Sequence, residues 1–443
     1  MFTNGKMIMK ILRFLVSLAG LTILLVPAQG QTHETSMERL RSARAAHLSA
    51  DERIADFEKL LKESPNDAKV QAGLAMAFIQ KLRETTDFAY LNRAAAMVDR
   101  MLTSDPKSYE GIRLNAEIAT HRHNFAKAAE LADALIQRNP SDTGAMGMLG
   151  DSLMEMGNYQ AAGGAYQSML ALAPNLASYN RVAYFHFVGG DTQKALSWMS
   201  LAVEAGSPIA ENLAWCLVEF GDMLFKTGRR EDAHIAYARA LEALPGYHRA
   251  NAAQGREFAA SGEFEKAEAS FLAAQAVIPL PEYAESLEVI ETKLGKTAEA
   301  EQQRKLIDVI DTLGRANGEK GNRTLAVVYA DQGRNLDRAQ ELVRAELETR
   351  KDVYTYDALS WVLYRSGLMT EAEEASKQAL SLNTPEPMFY YHAGIIALAA
   401  GRDEAGKDLL KRALALNPAF AYPQAQDALR RLKSISAPAG LQD

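Results

Sequence analysis

The sequence predicts an all-α protein built as an α-solenoid, in which about ten helix pairs stack into a superhelix. Eight glycines that follow helical patterns, from Gly157 to Gly401, are separated by 33, 38, 34, 33, 38, 34 and 34 residues. Prolines repeat with the same period, because Pro106, Pro140 and Pro174 stand 34 residues apart. Two residue types that share one period indicate a repeat architecture. No window in the repeats alternates apolar and polar residues over the length of a strand.

Each unit reads as helix, glycine turn, helix, proline turn. In residues 143–175, apolar side chains recur at helical spacing on both sides of Gly157. Glycine tolerates the positive φ that commonly ends a helix, and proline suits the first turn of the next helix or the turn before it. One unit cannot bury its own apolar face, so we expect its stability to come from stacking on its neighbours.

The first thirty residues predict an export signal. Residues 1–13 carry three basic residues and no acidic one, 14–26 are uncharged and mostly apolar, and 27–30 offer small residues for a cut after Gly30. The alternative is an uncleaved membrane anchor, but thirteen helical residues span about 20 Å of the roughly 30 Å of bilayer hydrocarbon. We expect an exported protein, periplasmic or secreted, that is not stably inserted in a membrane after cleavage.

The remaining segments follow from where the period begins and ends. Residues 31–66 are predicted to form a helical lead-in, 67–420 the repeat array, 421–436 a polar-faced capping helix and 437–443 a disordered tail. A cap is expected because the last layer of a solenoid would otherwise expose its apolar face.

Three departures from the period predict longer connections. The proline spacing over 65–106 is 41 residues, seven over the period, and we place a longer loop at 81–92. The two 38-residue steps place about four extra residues near 205–212 and 313–321. We interpret these two places as joints between sub-arrays.

Small residues hold fixed places in the units. Gly150, Gly221 and Gly255 lie inside first helices, where glycine costs about 1 kcal/mol relative to alanine. Ala162 and Ala233 hold one recurring place in second helices. We expect them to let two helix backbones approach closely, with larger side chains filling the space around them.

These residues carry a family resemblance. The order L-G, G-x-Y/F, A, Y/F, P resembles the tetratricopeptide repeat, and the likeness covers roughly residues 50–435. The family implies antiparallel helix pairs in a right-handed superhelix, with first helices lining its concave face. Three units in phase carry the match: Gly150, Gly157, Tyr159, Ala162, Tyr166 and Pro174; Gly221, Gly228, Ala233, Tyr237, Ala240 and Pro245; and Gly255, Gly262, Phe264, Ala267, Phe271, Ala274 and Pro279.

Signals for catalysis, metals and nucleic acid are weak. The usual metal, phosphate and nucleophile motifs do not occur in the sequence, and a net charge of −7 gives no electrostatic case for nucleic acid. His121 and His123 face apart on a helix, which favours a solvated helix end over a metal site. The single cysteine, Cys216, excludes an intrachain disulfide and is expected to be a buried structural thiol. We therefore predict no cofactor, no metal and no enzymatic activity.

The concave face is the predicted site. Aromatic and charged residues at exposed concave positions would suit a peptide-binding groove. The same residues would equally suit the core between repeats, since a slip of one residue rotates a helix by about 100°, and both interpretations stay open. The predicted partner-binding residues are Asn180, Tyr184, Phe187, Trp215, Phe225, Tyr354, Asp357, Trp361, Tyr364, Arg365 and Tyr391.

One binding mode of the resembled family is not favoured. Co-chaperone members clamp a C-terminal carboxylate with a fixed set of Lys, Asn and Arg residues. The nearest approach here is Asn180 with Arg181, and the partners expected in the next unit are Val218 and Asp222. That departure argues against a carboxylate clamp.

The sequence therefore predicts a non-enzymatic protein–protein interaction scaffold of the bacterial cell envelope, which binds polypeptide partners through its concave face. An alternative is a scaffold for polysaccharide export or envelope assembly, because aromatic grooves also bind sugars. A more remote alternative is an accessory subunit of an enzyme. A catalytic domain within the chain lacks space, since the array leaves no other segment of about 100 residues. The partner and the oligomeric state are not predicted.

Overall fold

The computed structural model describes residues 48–436, which fold into 22 α-helices and contain no β-strand. The predicted all-α fold is therefore confirmed. Helix α1 (Ala50–Glu63) precedes ten consecutive helix pairs, and helix α22 (Gln424–Ser436) follows them. The predicted signal peptide, 1–30, and the predicted tail, 437–443, lie outside the described residues. No helix in the described stretch is long and apolar enough to cross a bilayer.

In each pair the first helix has an even number and the second an odd number. Helices pack mainly within a pair and then against the next pair, which is the nearest-neighbour stacking of a solenoid. The pairs are α2 (Ala68–Thr85) and α3 (Phe88–Ser104), α4 (Tyr109–His121) and α5 (Phe125–Arg138), α6 (Thr143–Glu155) and α7 (Tyr159–Leu172), α8 (Leu176–Val188) and α9 (Thr192–Ala205), α10 (Ala210–Lys226) and α11 (Arg230–Ala243), α12 (His248–Ser261) and α13 (Phe264–Val277), α14 (Pro281–Lys293) and α15 (Thr297–Ala316), α16 (Arg323–Gln332) and α17 (Leu336–Thr349), α18 (Val353–Arg365) and α19 (Met369–Ala379), and α20 (Pro387–Ala399) and α21 (Asp403–Leu416).

The turn within a pair is built by glycine and an N-cap residue, as the α6–α7 turn shows. Gly157 has a φ of +75°, and its N–H donates to the carbonyl of Met154 at 3.0 Å. The next N–H, of Asn158, donates to the carbonyl of Leu153 at 2.8 Å, which completes the paired helix-ending bonds. The Asn158 side chain then accepts the N–H of Ala161 and starts α7. Three residues are therefore enough to reverse the chain.

The small residues in first helices make room for the aromatic ring of the second helix. A Cβ added to Gly150 would lie 2.3 Å from the Tyr166 ring, and one added to Gly221 would lie 2.3 Å from the Tyr237 ring. Ala233 in a second helix is fully buried. The close helix approach predicted at these positions is confirmed.

The loop predicted at 81–92 is wrong. Helix α2 continues to Thr85 and α3 begins at Phe88, so the two helices are 18 and 17 residues long and only two residues separate them. The segment contains no glycine or proline to stop a helix, and Leu82 and Leu91 are buried at 4% and 1% exposure. The seven extra residues therefore lengthen the two helices, because continued helix lets more of the chain pack.

Both 38-residue steps divide their extra length between a link and a helix. Residues 206–209 link α9 to α10, which is 17 residues long. Residues 317–322 link α15 to α16, and α15 is 20 residues long.

The solenoid coils tightly enough for its successive turns to touch. The N–H of Lys351 donates to the carbonyl of Glu155 at 2.8 Å, and the hydroxyl of Thr384 donates to the carbonyl of Val188 at 2.6 Å. The two partners of each bond are 196 residues apart in the sequence, which corresponds to between five and six helix pairs. The first helices therefore surround a narrow interior, and this interior holds the candidate site.

Candidate functional site

Side chains from the first helices of five consecutive pairs, α12 to α20, and from α22 line one cavity of about 730 Å³. We call it the C-terminal cavity. Its volume lies in the range of about 300–1,000 Å³ that is usual for ligand pockets. The residues that matter to its chemistry are Arg256, Glu285, Glu288, Asp331, Trp361, Tyr364, Arg365, Tyr391, Phe420, Tyr422, Asp427, Arg430 and Arg431.

Two of the predicted aromatics line this cavity but are largely buried. Trp361 is 5% exposed and Tyr391 7%. The Trp361 ring stacks on His392 with centroids 4.3 Å apart, and its Nε1–H donates to Oδ1 of Asp331 at 2.7 Å. The Tyr391 hydroxyl donates to Oδ2 of Asp427, on α22, at 3.0 Å. Both rings therefore pack repeats together and form the cavity wall at the same time.

Tyr364 and Arg365, at the end of α18, are partly exposed in the cavity. Arg365 donates through Nη1 to the backbone carbonyl of Asp331 at 3.3 Å, and its guanidinium carbon lies 5.6 Å from the centre of the Trp361 ring. These two side chains are the parts of the predicted aromatic cluster that a ligand in the cavity would meet first.

Asp357 lies behind this wall, where it is 7% exposed. Its carboxylate accepts a hydrogen bond from Nδ1 of His392 at 3.0 Å. Burial opposes a charge on His392, but the acidic groups around it, Asp357 first and then Asp331 and Glu386, together raise the pKa of the imidazole. Sequence analysis did not single out His392; the signal that could have found it is an acid and a base one repeat apart on successive first helices.

The cavity presents both carboxyl and guanidinium groups. Burial, followed by the nearby carboxyl groups of Asp331 and Glu288, raises the pKa of Glu285 well above its usual range. Burial likewise raises the pKa of Asp331. From the other side, α22 contributes the guanidinium groups of Arg430 and Arg431. Carboxyl groups on α14 and α16 thus share the cavity with cations on α22.

Four predicted residues in the first half of the array lie mainly in the core. Asn180, Phe187 and Phe225 are 8%, 2% and 6% exposed, and the side-chain amide of Asn180 donates to Sγ of Cys216 at 3.4 Å. Trp215 is partly buried against the same apolar cluster. For these side chains the structure favours the core between repeats over a peptide-binding groove.

Tyr184 and Tyr354 meet where successive turns of the solenoid touch. Together with Glu155, Tyr159 and Asp352 they line a crevice of about 10 Å³, the inter-turn crevice. That volume barely admits one water molecule. Tyr354 therefore belongs to a packed contact, although it shares α18 with Trp361 of the C-terminal cavity.

The two histidines of the His121–Arg122–His123 segment have structural surroundings. His123 has a φ of +56° and occupies the turn position that glycine holds in other units. Its ring stacks on Phe125 at 5.6 Å, and its Nδ1 lies 3.5 Å from Oε1 of Glu346. Burial lowers the pKa of His121. Within residues 48–436, no group of three His, Cys, Asp or Glu side chains is placed to hold a metal ion.

Cys216 and Arg181 are engaged within the fold. Cys216 is fully buried, and burial raises the pKa of its thiol to about 12, which keeps it protonated and unreactive. Arg181 forms an ion pair with Asp151 at 2.8 Å. A clamp that used Arg181 for a ligand carboxylate would have to break this pair.

The solved structures that resemble this chain include a TPR protein. TTC0263, a thermophilic TPR protein in Thermus thermophilus, is 16% identical with a TM-score of 0.34, over 39% of this chain and 92% of that one. A monomeric mutant of IFIT1 with Gppp-AAAA is 17% identical with a TM-score of 0.47, over 78% of each chain. The APC/C hetero-tetramer Cut9–Hcn1 is 14% identical with a TM-score of 0.37, over 90% of this chain and 96% of that one. No curated protein matches the chain.

A family model matched to the sequence identifies the family of this chain. The model described as tetratricopeptide repeat matches residues 116–177, 148–208, 218–282 and 358–425, which together make up more than half of the 443 residues. Three of the helix pairs that these matches overlap, α6–α7, α10–α11 and α12–α13, place a glycine of the first helix against an aromatic ring of the second. The chain therefore belongs to the tetratricopeptide repeat family.

Proposed function

We propose that this chain is a non-enzymatic scaffold that binds a segment of a partner polypeptide in the C-terminal cavity. Tetratricopeptide repeat proteins commonly act as protein–protein interaction scaffolds, and this fold suggests the same role. The observation that carries the proposal is the cavity of about 730 Å³ formed by the first helices of five consecutive pairs and by α22. Such a volume suits a short segment rather than a folded domain.

The chemistry of the wall supports a peptide ligand. Tyr364 offers a partly exposed ring, Arg365 a cation, and Glu285 with Asp331 a pair of carboxyl groups. A polypeptide segment carries apolar side chains that can pack on the ring, acidic groups that can pair with the cation, and hydrogen-bond donors that can bind the carboxyl groups. Aromatic and arginine side chains are also the residues that most often dominate binding energy in protein interfaces.

A carbohydrate ligand is less favoured by the same geometry. Sugar stacking needs an open aromatic face, but one face of Trp361 is covered by His392 and the ring is 5% exposed, and the Tyr364 ring is only partly exposed. For the proposed envelope scaffold we therefore favour a polypeptide partner over a polysaccharide.

We further propose that the protein acts in the bacterial cell envelope, periplasmic or secreted. The support is the order of basic, apolar and small residues in 1–30. A single thiol, that of Cys216, without a partner in the chain is compatible with an oxidising compartment. Mass spectrometry of exported protein tests this: an N-terminus near Gln31 supports export with cleavage, and an intact 1–30 in membrane-bound protein contradicts it.

Capture from envelope extract tests the binding site. Purified protein beginning at Gln31 is used as bait, and Tyr364→Ala is compared with Tyr90→Ala, a partly exposed tyrosine of α3 that does not line the cavity. We expect a specific polypeptide whose capture falls about ten-fold or more with Tyr364→Ala and is unchanged with Tyr90→Ala. Equal capture by both variants would remove the C-terminal cavity as the site.

A further inference from the structure

The contact between successive turns of the solenoid has a regular construction, which we call the seam. On one side are the ends of α6, α8 and α10 with the turns that follow them; on the other are residues 350–353, 383–386 and 416–417. The bonds donated by Lys351 and Thr384, described above, cross this seam. So do two more: the Val353 N–H donates to the Tyr159 hydroxyl at 3.0 Å, and the Asn417 side-chain amide donates to the Phe225 carbonyl at 2.7 Å.

Glycine at the turn is what lets the two sides meet. A Cβ added at Gly157 would lie 2.6 Å from the Lys351 carbonyl oxygen, and one at Gly228 would lie 2.8 Å from that of Leu416. The turn glycine Gly367 has the same conformation, with a φ of +79°, but no described atom lies within 4 Å of its added Cβ. The glycines of the seam therefore serve two purposes, helix termination and contact between turns.

Charged pairs and apolar side chains complete the seam. Arg350 pairs with Glu155 at 2.6 Å, and Lys226 pairs with Glu386 at 2.8 Å. Val353 and Phe389 from the later turn pack with side chains of α6 and α8 in one apolar cluster, in which both are 2% exposed. Closure therefore buries apolar side chains and ion pairs side by side.

We propose that the seam is a gate: the two turns part as folded units and uncover the concave surface around Tyr184 and Tyr354. Each helix pair keeps its core when the turns part, because the glycine–aromatic contacts lie within pairs and the stacking contacts lie between consecutive pairs. The inference goes beyond the proposed function, because it concerns a part of the concave face outside the C-terminal cavity. The C-terminal cavity is lined by other residues and does not depend on the gate.

Hydrogen exchange tests the gate without any partner. The amides of Lys351 and Val353 report its opening, because their acceptors lie on the other side of the seam. The variant is Gly157→Ala, and Gly367→Ala is its matched control, with the same positive φ and the same helix-ending hydrogen bonds but no neighbour across a seam. We expect exchange at the two amides to rise about ten-fold in Gly157→Ala and to stay unchanged in the control, while amides inside α6 and α17 keep their protection.

A second measurement and a second variant complete the test. Hydroxyl-radical footprinting should show greater oxidation of Tyr184 and Tyr354 in Gly157→Ala than in the control. Tyr159→Phe, which removes the acceptor of the Val353 N–H, should raise exchange at Val353 with an unchanged helical circular dichroism spectrum. Unchanged exchange in both seam variants would overturn the gate, and so would loss of protection throughout α6 and α7 together, since the pair would then be unfolding. Either result leaves binding in the C-terminal cavity untouched.

Discussion

Equivalent faces of the repeats are packed shut in one part of the solenoid and open in another. Around Tyr184 and Tyr354 the interior narrows to a crevice of about 10 Å³, whereas around Trp361 and Tyr364 it widens to about 730 Å³. Tyr354 and Trp361 are seven residues apart on one helix, α18. The comparison shows that position on a repeat does not by itself decide between core and binding surface.

The difference arises from what lies across the interior. At Tyr354 the facing turn contributes α6 and α8, which close on it through the seam. At Trp361 the far wall is formed by α22 and the link before it, and Tyr422 of this link packs on Phe264 of α13 with centroids 4.8 Å apart. The link spans the interior at the C-terminal end, and α22 lies where a further pair would otherwise stack.

The largest expected effect is a loss of stability, and it distinguishes the buried wall of the C-terminal cavity from the side chains that are free to contact a ligand. Trp361→Ala should cost about 3–5 kcal/mol of unfolding free energy, because the ring is 5% exposed and stacks on His392. Tyr364→Ala, three residues on and partly exposed, should cost about 1 kcal/mol or less. Urea unfolding of the two variants measures both. Equal losses would mean that Tyr364 is also core and that the cavity offers no free ring.

A smaller loss is expected at the seam from Asn417→Ala. Asn417 is fully buried, and its amide supplies one of the two hydrogen bonds that the Phe225 carbonyl accepts, the other coming from the Gly228 N–H at 3.0 Å. The variant removes this buried bond and the local bond from the Ala419 N–H, at about 1–2 kcal/mol together. Asn139→Ala is the control, since Asn139 also ends a second helix before a proline and its side chain accepts a local N–H, but it is exposed. Thermal melts compare them. A similar shift in both would assign the effect to the local turn rather than to the seam.

The stability of the protein should also respond to pH through Glu219, on α10. Burial, followed by the Asp222 carboxylate, raises the pKa of Glu219 to about 7. A raised carboxyl pKa favours the protonated folded state, so the stabilisation is complete below the unfolded pKa of about 4.3 and is lost as pH rises through 7. Between pH 5 and 7.5 the wild type should lose about 1–2 kcal/mol more than Glu219→Gln, with allowance for the solvent that reaches the carboxyl group. Urea unfolding at the two pH values measures this, and parallel pH profiles would contradict it.

The smallest effect concerns how α22 is held over the cavity. Tyr391→Phe removes the hydrogen bond to Asp427 and should cost about 1 kcal/mol, seen as faster hydrogen exchange in α22. The adjacent Tyr390→Phe is the control, because its buried hydroxyl finds no hydrogen-bond partner among the described residues. If both variants leave exchange in α22 unchanged, Asp427 does not anchor the helix.

Most of the fold could be predicted because its signals are local and repeated. Glycines at one period mark turns where a positive φ ends a helix, as at Gly157, and small residues such as Gly150 mark where a ring must fit. The loop predicted at 81–92 failed for an equally local reason. Extra residues in a repeat can form either a loop or additional helical turns. Here they form helix, because Leu82 and Leu91 are buried when the helices continue.

The candidate site was predicted less well, because it depends on contacts across the solenoid. Helical spacing grouped Tyr364 and Arg365 with Trp361 and Tyr391, and all four line the C-terminal cavity. It carried no information on Asp331, whose carboxylate receives the Trp361 N–H from one repeat away. Nor did it separate Tyr354 from Trp361.

The sequence by itself determined the repeating unit: the period, the helix pair, its glycine turn and the close fit of glycine against ring. Those features need only residues within about 34 positions of one another. Tertiary structure decided which turns touch, which concave side chains are buried and where the cavity lies. Contacts such as Lys351 to Glu155 join residues 196 positions apart. Their formation depends on small rotations between stacked units that add up along the whole array, and no single unit encodes that sum.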